Sequence, residues 1–319
     1  ISVPFYNSSY SQHRIDTNMR KDTISLFVFF IAACIVFTPC QAKSKAKHVI
    51  LIGLDGWGSY SVPKADIPNI KQLMANGSYT LEKRSALPSS SAINWASMFM
   101  GAGPELHGYT EWGSKTPELP SRILNKHGIF PTIFQLLREA RPKAEIGCLY
   151  EWNGIKYLVD TLALNHYAQA PNYKEYPEAL CNMAETYIKE KQPTLLAVCF
   201  DNPDHIGHQK GHDTPEYYAK LKELDMYIGR IIHAVEEAGI LKETIFIITA
   251  DHGGINKGHG GKTMQEMQTP FIISGKNVKK GMEFHESMMQ YDVASTIAYI
   301  FGLQQPQVWI GRPMTQVFK

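Results

Sequence analysis

Short runs of β-branched and apolar residues at 48–54, 145–150, 194–200, 244–249 and 270–274 alternate with longer stretches of helical periodicity. That alternation limits the fold more than any other feature of the chain. Strands that read as near-continuous Val, Ile, Leu and Phe must be covered on both faces, and parallel strands need long crossovers, which helices supply. The expectation is an α/β domain with a mainly parallel central sheet and helices on both faces. A weaker strand candidate lies at 79–86. Helices are predicted over 67–75, closed by Asn76-Gly77, over 91–100, closed by Gly101, over 131–140 before Pro142, over 177–190 before Pro193, and over 215–239. In the last of these, Leu221, Leu224, Ile228, Ile231, Ile232 and Val235 keep the three-and-four spacing of one buried face. Residues 101–130 read as loop.

The first 42 residues read as an address and not as part of the fold. Arg20-Lys21 precede an apolar run, 24–37, which is followed by Thr38-Pro39-Cys40-Gln41-Ala42. A signal peptide starting at Met19 and cleaved after Ala42 is expected, with residues 1–18 an over-extended start. The rival is lipid attachment at Cys34, in Ile31-Ala32-Ala33-Cys34, although Ile35-Val36-Phe37 would then prolong the apolar core. The apolar run is shorter than the roughly 20 residues that cross a bilayer, so no stable membrane span is expected. Export to a periplasmic or secreted location follows. Residues 43–319, with no internal repeat or long linker, are expected to form one domain.

A formal charge of +2 leaves no basic excess to hold a nucleic-acid polymer along an electrostatic track. Outside the leader the cysteines are Cys148, Cys181 and Cys199, which lack CxxC spacing, so at most one bridge can form. Cys199, inside an apolar run, reads as a core residue.

In open α/β sheets, ligands bind outside the carboxyl ends of the strands. Those ends give, in order, Asp55, then Asp204 and His208, then Asp251-His252 with His259 soon after. Each alone has an ordinary explanation: Asp55-Gly56 makes a turn, Asp251 caps a helix, and a lone histidine is more often packed or exposed than a ligand. Carboxylate and imidazole recurring at three strand ends, which the fold brings to one edge, form a metal-binding pattern.

These segments resemble the nucleotide pyrophosphatase/phosphodiesterase branch of the alkaline phosphatase superfamily over nearly the whole chain after the leader. The resemblance rests on Leu54-Asp55-Gly56, Ser91-Ala92-Ile93-Asn94, Met100-Gly101 with His107-Gly108, Asp204-His205-Ile206-Gly207-His208, Ala250-Asp251-His252-Gly253 and Gly258-His259-Gly260, in the family's order. Leu224-Asp225 with Gly229, and 292–296 before Phe301-Gly302, match its later landmarks. It implies an alkaline phosphatase-like three-layer sandwich and two divalent metal ions, one held by Asp204, His208 and His259, the other by Asp55, Asp251 and His252. Zinc suits the mixed nitrogen and oxygen donors best, with manganese or iron as alternatives.

The resemblance also makes Ser91 the nucleophile and has Asn94, three residues on, touch a phosphoryl oxygen. Independently, a hydroxyl at a helix N-terminus sits where N–H groups and the dipole favour both its own alkoxide and an incoming phosphate. The plain alternative is that Ser89, Ser90 and Ser91 offer an N-cap after Pro88, and at least one of them is expected to cap. The implied activity is hydrolysis of a small-molecule phosphoric ester, a diester or nucleotide pyrophosphate, through a phosphoserine intermediate.

A phosphomonoesterase on the same site is the main rival, yet residues 85–101 hold no Arg or Lys to meet the extra charge. A sulfatase would need a CxPxR-type sequence, which 89–94 lacks, and the mutases of the superfamily carry a large insertion that the spacing here excludes. A third reading is an inactive, ligand-binding descendant, against which the complete ligand set argues. His107, His205, His212, Lys257 and Lys262 are given no role. His205 is expected to point away, and His212, where the family commonly has Pro, to stand behind the ligands or be exposed. Trp57, Tyr60, Trp95, Tyr109 and Trp112 fall around the expected mouth, where they either stack on a base or aryl group or simply pack.

Overall fold

The structure, a computed structural model, describes residues 44–319. The expected signal peptide, the Met19 start and the alternative anchor at Cys34 lie outside those residues. The strands are β1 (His48–Leu54), β2 (Gly77–Arg84), β3 (Ile146–Tyr150), β4 (His166–Gln169), β5 (Leu195–Phe200), β6 (Thr244–Thr249), β7 (Gln268–Gly275) and β8 (Met282–Glu283). They form one sheet in the order β4-β3-β5-β1-β6-β7-β2-β8. From β4 to β6 every neighbouring pair is parallel. The strand expected at 270–274 is the exception, since β7 runs antiparallel to both β6 and β2.

The helices are α1 (Pro68–Ala75), α2 (Ser91–Met100), α3 (Pro104–His107), α4 (Ile133–Ala140), α5 (Ala179–Lys191), α6 (Asp204–Lys210), α7 (Pro215–Glu237), α8 (Met264–Met267) and α9 (Asp292–Phe301). Alternation along β1 shows how they are layered. Val49 and Leu51 pack on one face with Trp95 and Phe99 of α2, Phe134 of α4 and Ile297 of α9. Ile50, Ile52 and Leu54 face the other way, into Ile70 of α1, Leu180 of α5 and Leu221 and Ile228 of α7. The result is the expected three-layer sandwich, and truncating one of these buried side chains to Ala costs roughly 2–5 kcal/mol.

Helix α7 begins at Pro215, where the Thr214 side chain accepts from Tyr217 N. Its Asp225 carboxylate accepts from the N–H groups of Asn69 and Ile70, so it satisfies the start of α1, which has no side-chain cap of its own. Cys148, Cys181 and Cys199 are buried and free. Among the described residues no helix is long and apolar enough to cross a membrane.

Candidate active site

Strands β5, β1 and β6 are adjacent and parallel, so their carboxyl ends deliver Asp204, Asp55 and Asp251 to one edge. Asp55 N donates to Phe200 O (3.0 Å) and Asp204 N to Asp55 O (2.9 Å), stitching the two loops together. Gly56 has φ 70°, and a Cβ there would overlap the Asp204 backbone, so this turn needs glycine. Asp204 and His208 lie one turn apart on α6 and therefore share a face.

Asp55 Oδ1 and Asp251 Oδ2 are each 3.3 Å from His252 Nε2. Asp204 Oδ2 lies 3.1 Å from His208 Nε2 and 3.8 Å from His259 Nε2. The expected Asp55, Asp251 and His252 set therefore converges. On the other side, donor atoms of Asp204, His259 and His252 lie within 4.8 Å of one another. His252 stands between the two groups, its ring stacked on His259 with centroids 3.9 Å apart. His208 reaches Asp204 from the rim, its side chain about half exposed.

The donor chemistry fits a divalent cation. His208, His252 and His259 each turn Nδ1 to a backbone carbonyl, of Lys257, Gly253 and Ser89 respectively. Nδ1 must carry the proton in such contacts, which leaves the Nε2 lone pairs facing the carboxylates. Asp55 Oδ1 and Asp251 Oδ2 are buried acceptors without hydrogen-bond partners. Acceptors converging on acceptors in a buried space call for positive charge between them. Without it, burial and mutual repulsion hold the Asp55 carboxyl well above the usual range, and burial does the same to Asp251. Burial also pushes His252 down to about 3, whereas the hydrogen bond to Asp204 lifts His208 to about 9.

Ser91 opens α2, with Oγ 3.1 Å from His252 Nε2, so the hydroxyl adjoins this cluster. None of the three serines caps the helix through its side chain. Ser90 is the N-cap residue without such a bond, and Ser89 Oγ donates instead to Gly261 O (2.6 Å). Asn94, expected to touch a phosphoryl oxygen, has a fully buried side chain whose amide is bonded within the loop before α2. Asn94 Nδ2 lies 3.1–3.2 Å from the carbonyl oxygens of Ala86, Pro88 and Ser90, and Oδ1 accepts from Ala86 N (2.6 Å). Asn94 thus braces the loop that carries Ser91.

Several supporting residues escaped sequence reasoning. Trp95 Nε1 donates to Asp55 Oδ2 (3.0 Å), its ring lying over Gly53, where a Cβ would overlap it. Lys83, fully buried, donates to Ala250 O (3.0 Å) and to Gln290 Oε1, and burial pushes it down to about 7. Gln290 Nε2 lies 3.2 Å from both Asn94 O and Ala250 O, tying the Ser91 helix to the loop of Asp251. Glu266 forms a capping box with Thr263 and accepts from Gly261 N (2.8 Å), which shapes the turn after His259. Only that box, Thr263 to Glu266, left a sequence signal.

The other tempting side chains sort themselves by burial. His107 is buried, with Ser97 Oγ 3.0 Å from Nε2. His205 contacts Gln209 at the exposed side of α6. Lys257 contributes only its carbonyl, and Lys262 is exposed. His212 is buried, with Nε2 3.6 Å from Asp204 Oδ1, and burial lowers it to about 4. Trp57 and Tyr109 are buried packing residues, and Trp95 packs while also holding Asp55, whereas Trp112 is 67% exposed and its carbonyl accepts from Ala92 N (3.1 Å), beside Ser91.

Comparison with known proteins identifies the family. The sequence model of the type I phosphodiesterase/nucleotide pyrophosphatase family matches residues 49–135 and 142–265. The chain belongs to this family. Every expected metal ligand, together with Ser91 and Asn94, falls inside the segments matched to the type I phosphodiesterase/nucleotide pyrophosphatase model. Bis(5'-adenosyl)-triphosphatase enpp4 of Mus musculus is 24% identical over 74% of this chain and 53% of its own length. GPI ethanolamine phosphate transferase 2 of Aspergillus oryzae is 26% identical over 32% of this chain and 14% of its own. The chain thus spans about half, or much less, of the length of these curated relatives. Among solved structures, an inactive form of murine ectonucleotide pyrophosphatase/phosphodiesterase 5 in complex with AMP superposes with a TM-score of 0.71. It is 14% identical and covers 86% of this chain and all of the other. A 2-O GAG sulfatase superposes with a TM-score of 0.68 at 15% identity, over 86% of this chain and 74% of its own, so the fold is shared beyond the family.

Proposed function

We propose that this chain is a two-metal hydrolase of small phosphoric diesters or nucleotide pyrophosphates, with Ser91 as its nucleophile. The observation that carries the reading is the 3.1 Å separation of Ser91 Oγ from His252 Nε2, at the edge of six converging carboxylate and imidazole groups. Bound divalent ions, zinc best suiting the donors, would lower the pKa of the hydroxyl and offset the charge on the leaving oxygen. Asp55, Asp251 and His252 would hold one ion, and Asp204, His208 and His259 the other. Ser91 Oγ forms a bond to phosphorus while the bond to the leaving alkoxide or phosphate breaks in line, the serine proton ending on the leaving oxygen. Water then adds to phosphorus as the bond to Ser91 Oγ breaks, releasing the phosphate monoester while one proton of the water re-forms the serine hydroxyl. The positive end of the α2 dipole faces the incoming phosphoryl group throughout. Asn94, Lys83 and Gln290 keep the Ser91 loop registered against Asp251.

The diester is favoured over the monoester because residues 85–101 supply no cation for a second negative charge. An inactive binding role would not need six intact ligands beside a hydroxyl. Export to the periplasm or the medium is part of this proposal, supported by the basic pair Arg20-Lys21 before the apolar run 24–37. The test is the hydrolysis of bis-p-nitrophenyl phosphate and p-nitrophenyl phosphate by the metal-loaded chain, beside Ser91→Ala. Faster cleavage of the diester is expected. Preference for the monoester would install the phosphomonoesterase, and no cleavage with zinc or manganese would sink the hydrolase.

A further inference from the structure

Two of the three carboxylates at the cluster have one oxygen turned to the cation space and the other tied by an N–H group. Asp55 has Oδ2 held by Trp95, and Asp251 has Oδ1 held by the N–H groups of Gly56 (3.1 Å) and His252 (2.8 Å). On Asp204, Oδ2 faces His208 and His259, while Oδ1 is buried with no hydrogen-bond partner. The nitrogen opposite Oδ1 is His212 Nε2 at 3.6 Å, and both ring nitrogens of His212 are also buried and unpartnered. Complementary buried groups left unsatisfied side by side are rare and call for an explanation.

The His212 ring is confined. A Cβ on Gly207 or on Gly254 would overlap it, so two glycines from separate segments leave room for this one imidazole. Tyr217 lies against it with centroids 5.4 Å apart, and His212 N is bonded to Asn256 O (2.6 Å). An apolar side chain would fill the space without burying two polar atoms.

We propose that His212 is a positioning residue for Asp204, its Nε2–H donating to Oδ1 so that Oδ2 stays aimed at the cation shared with His259. The inference rests on the two-metal reading above. The 3.6 Å separation is about 0.6 Å longer than the usual N–H···O distance, so the proposal includes a shift of the Asp204 carboxylate toward the imidazole. His212 does not belong with the ligands themselves. His208, His252 and His259 each give Nδ1–H to a carbonyl and direct Nε2 inward, whereas His212 Nδ1 has no such anchor and Nε2 faces the outer oxygen of Asp204. Orienting donors of this kind typically change metal affinity tenfold to a hundredfold.

The test is zinc binding by the metal-stripped full chain, in competition with a chromophoric chelator. The wild type should take up two ions. His212→Phe, which keeps the ring but not the donor, should weaken one of them by roughly ten- to a hundredfold and leave the other unchanged. His212→Gln, whose amide can donate to Oδ1, should recover most of the loss. Should the Phe variant fail to fold by circular dichroism, His212→Leu carries the same expectation. Unchanged affinity in a folded Phe or Leu variant overturns the proposal, as does a cobalt-substituted absorption spectrum showing that the variant has lost a ligand. A wild-type chain that binds no zinc would instead overturn the two-metal reading on which the proposal stands.

Discussion

Ser91 Oγ and His252 Nε2 lie 3.1 Å apart, and that same nitrogen lies 3.3 Å from carboxylate oxygens of Asp55 and Asp251. The hydroxyl thus stands one contact away from the atoms proposed to hold an ion. Its removal takes nothing from the donor set. Ser91→Ala is therefore expected to lower turnover by at least about a thousandfold, as loss of a nucleophile does, while metal content stays near that of the wild type. Turnover of bis-p-nitrophenyl phosphate measured beside elemental analysis separates the two, and a variant that still turns over removes Ser91 from the reaction.

Stripping the ions should cost both activity and stability. Asp55, Asp251 and Asp204 are packed together in a buried space, and only the folded chain brings these candidate donors together. Free zinc at a thousandfold its dissociation constant stabilises the folded state by about 4 kcal/mol per site. Thermal unfolding with a chelator should show a transition several degrees lower, restored by added zinc together with diester hydrolysis. An identical transition in chelator and zinc would mean that the cluster holds no ion.

The site was legible in the sequence wherever a residue is tied to a strand end. Asp55, Asp204 and Asp251 follow β1, β5 and β6 because apolar runs stop there, and the runs themselves announce the strands. Helices α2 and α7 were likewise announced, by Gly101 and by the Leu221–Val235 stripe. What stayed hidden depends on contacts far apart in the chain. Lys83 reads as part of a charged strand end, yet tertiary packing buries it against Ala250 and Gln290. Asn94 lies at the spacing of a substrate contact, yet its amide is taken by a loop six to eight residues upstream. The reversed direction of β7 leaves no local signal either, since strand polarity is fixed by pairing and not by composition.

Trp95 offers a way to perturb a proposed metal ligand without touching it. Its indole N–H holds Asp55 Oδ2, and Trp95→Phe keeps a ring over Gly53 while leaving that oxygen unpaired. A lost hydrogen bond to a buried charged group costs about 1–3 kcal/mol. The variant should unfold at correspondingly lower denaturant and bind one of its two ions more weakly, because Asp55 is then free to turn. Metal titration and denaturant unfolding together check this. Lowered stability with both affinities intact would assign Trp95 to packing alone.

Asn94→Ala should be more damaging than its distance from the reacting atoms suggests. Its two N–H groups are shared among the carbonyls of Ala86, Pro88 and Ser90, and its oxygen accepts from Ala86 N, so the change unties the loop that sets Ser91. The buried loop groups left behind cost roughly 1–3 kcal/mol each where water cannot reach them. Asn94→Asp keeps the acceptor to Ala86 N and loses the donors. Both variants are expected to lose kcat and thermal stability together, unlike Ser91→Ala, which should lose kcat alone. A fall in kcat with stability unchanged would point instead to direct contact of Asn94 with the substrate.

Glu151 gives the chain a stability term with a definite pH dependence. It ends just past β3, buried, with Oε2 accepting from Asp201 N (2.7 Å), and burial pushes its carboxyl up to about 8 from the ordinary 4.5. Below the ordinary value, folded and unfolded chains both hold the proton, and the group carries no penalty. Between there and about 8, the unfolded chain releases the proton while the folded chain keeps it. Folding therefore loses roughly 1.4 kcal/mol for each pH unit climbed in that window. Glu151→Gln keeps an acceptor for Asp201 N and has no proton to release. In chelator, so that metal uptake does not intrude, Gln should gain on Glu steadily from pH 5 to pH 7 and level off above about 8. Denaturant unfolding of both proteins across that range checks the slope. A difference that stays flat would mean that Glu151 ionises in the folded chain as it does in water.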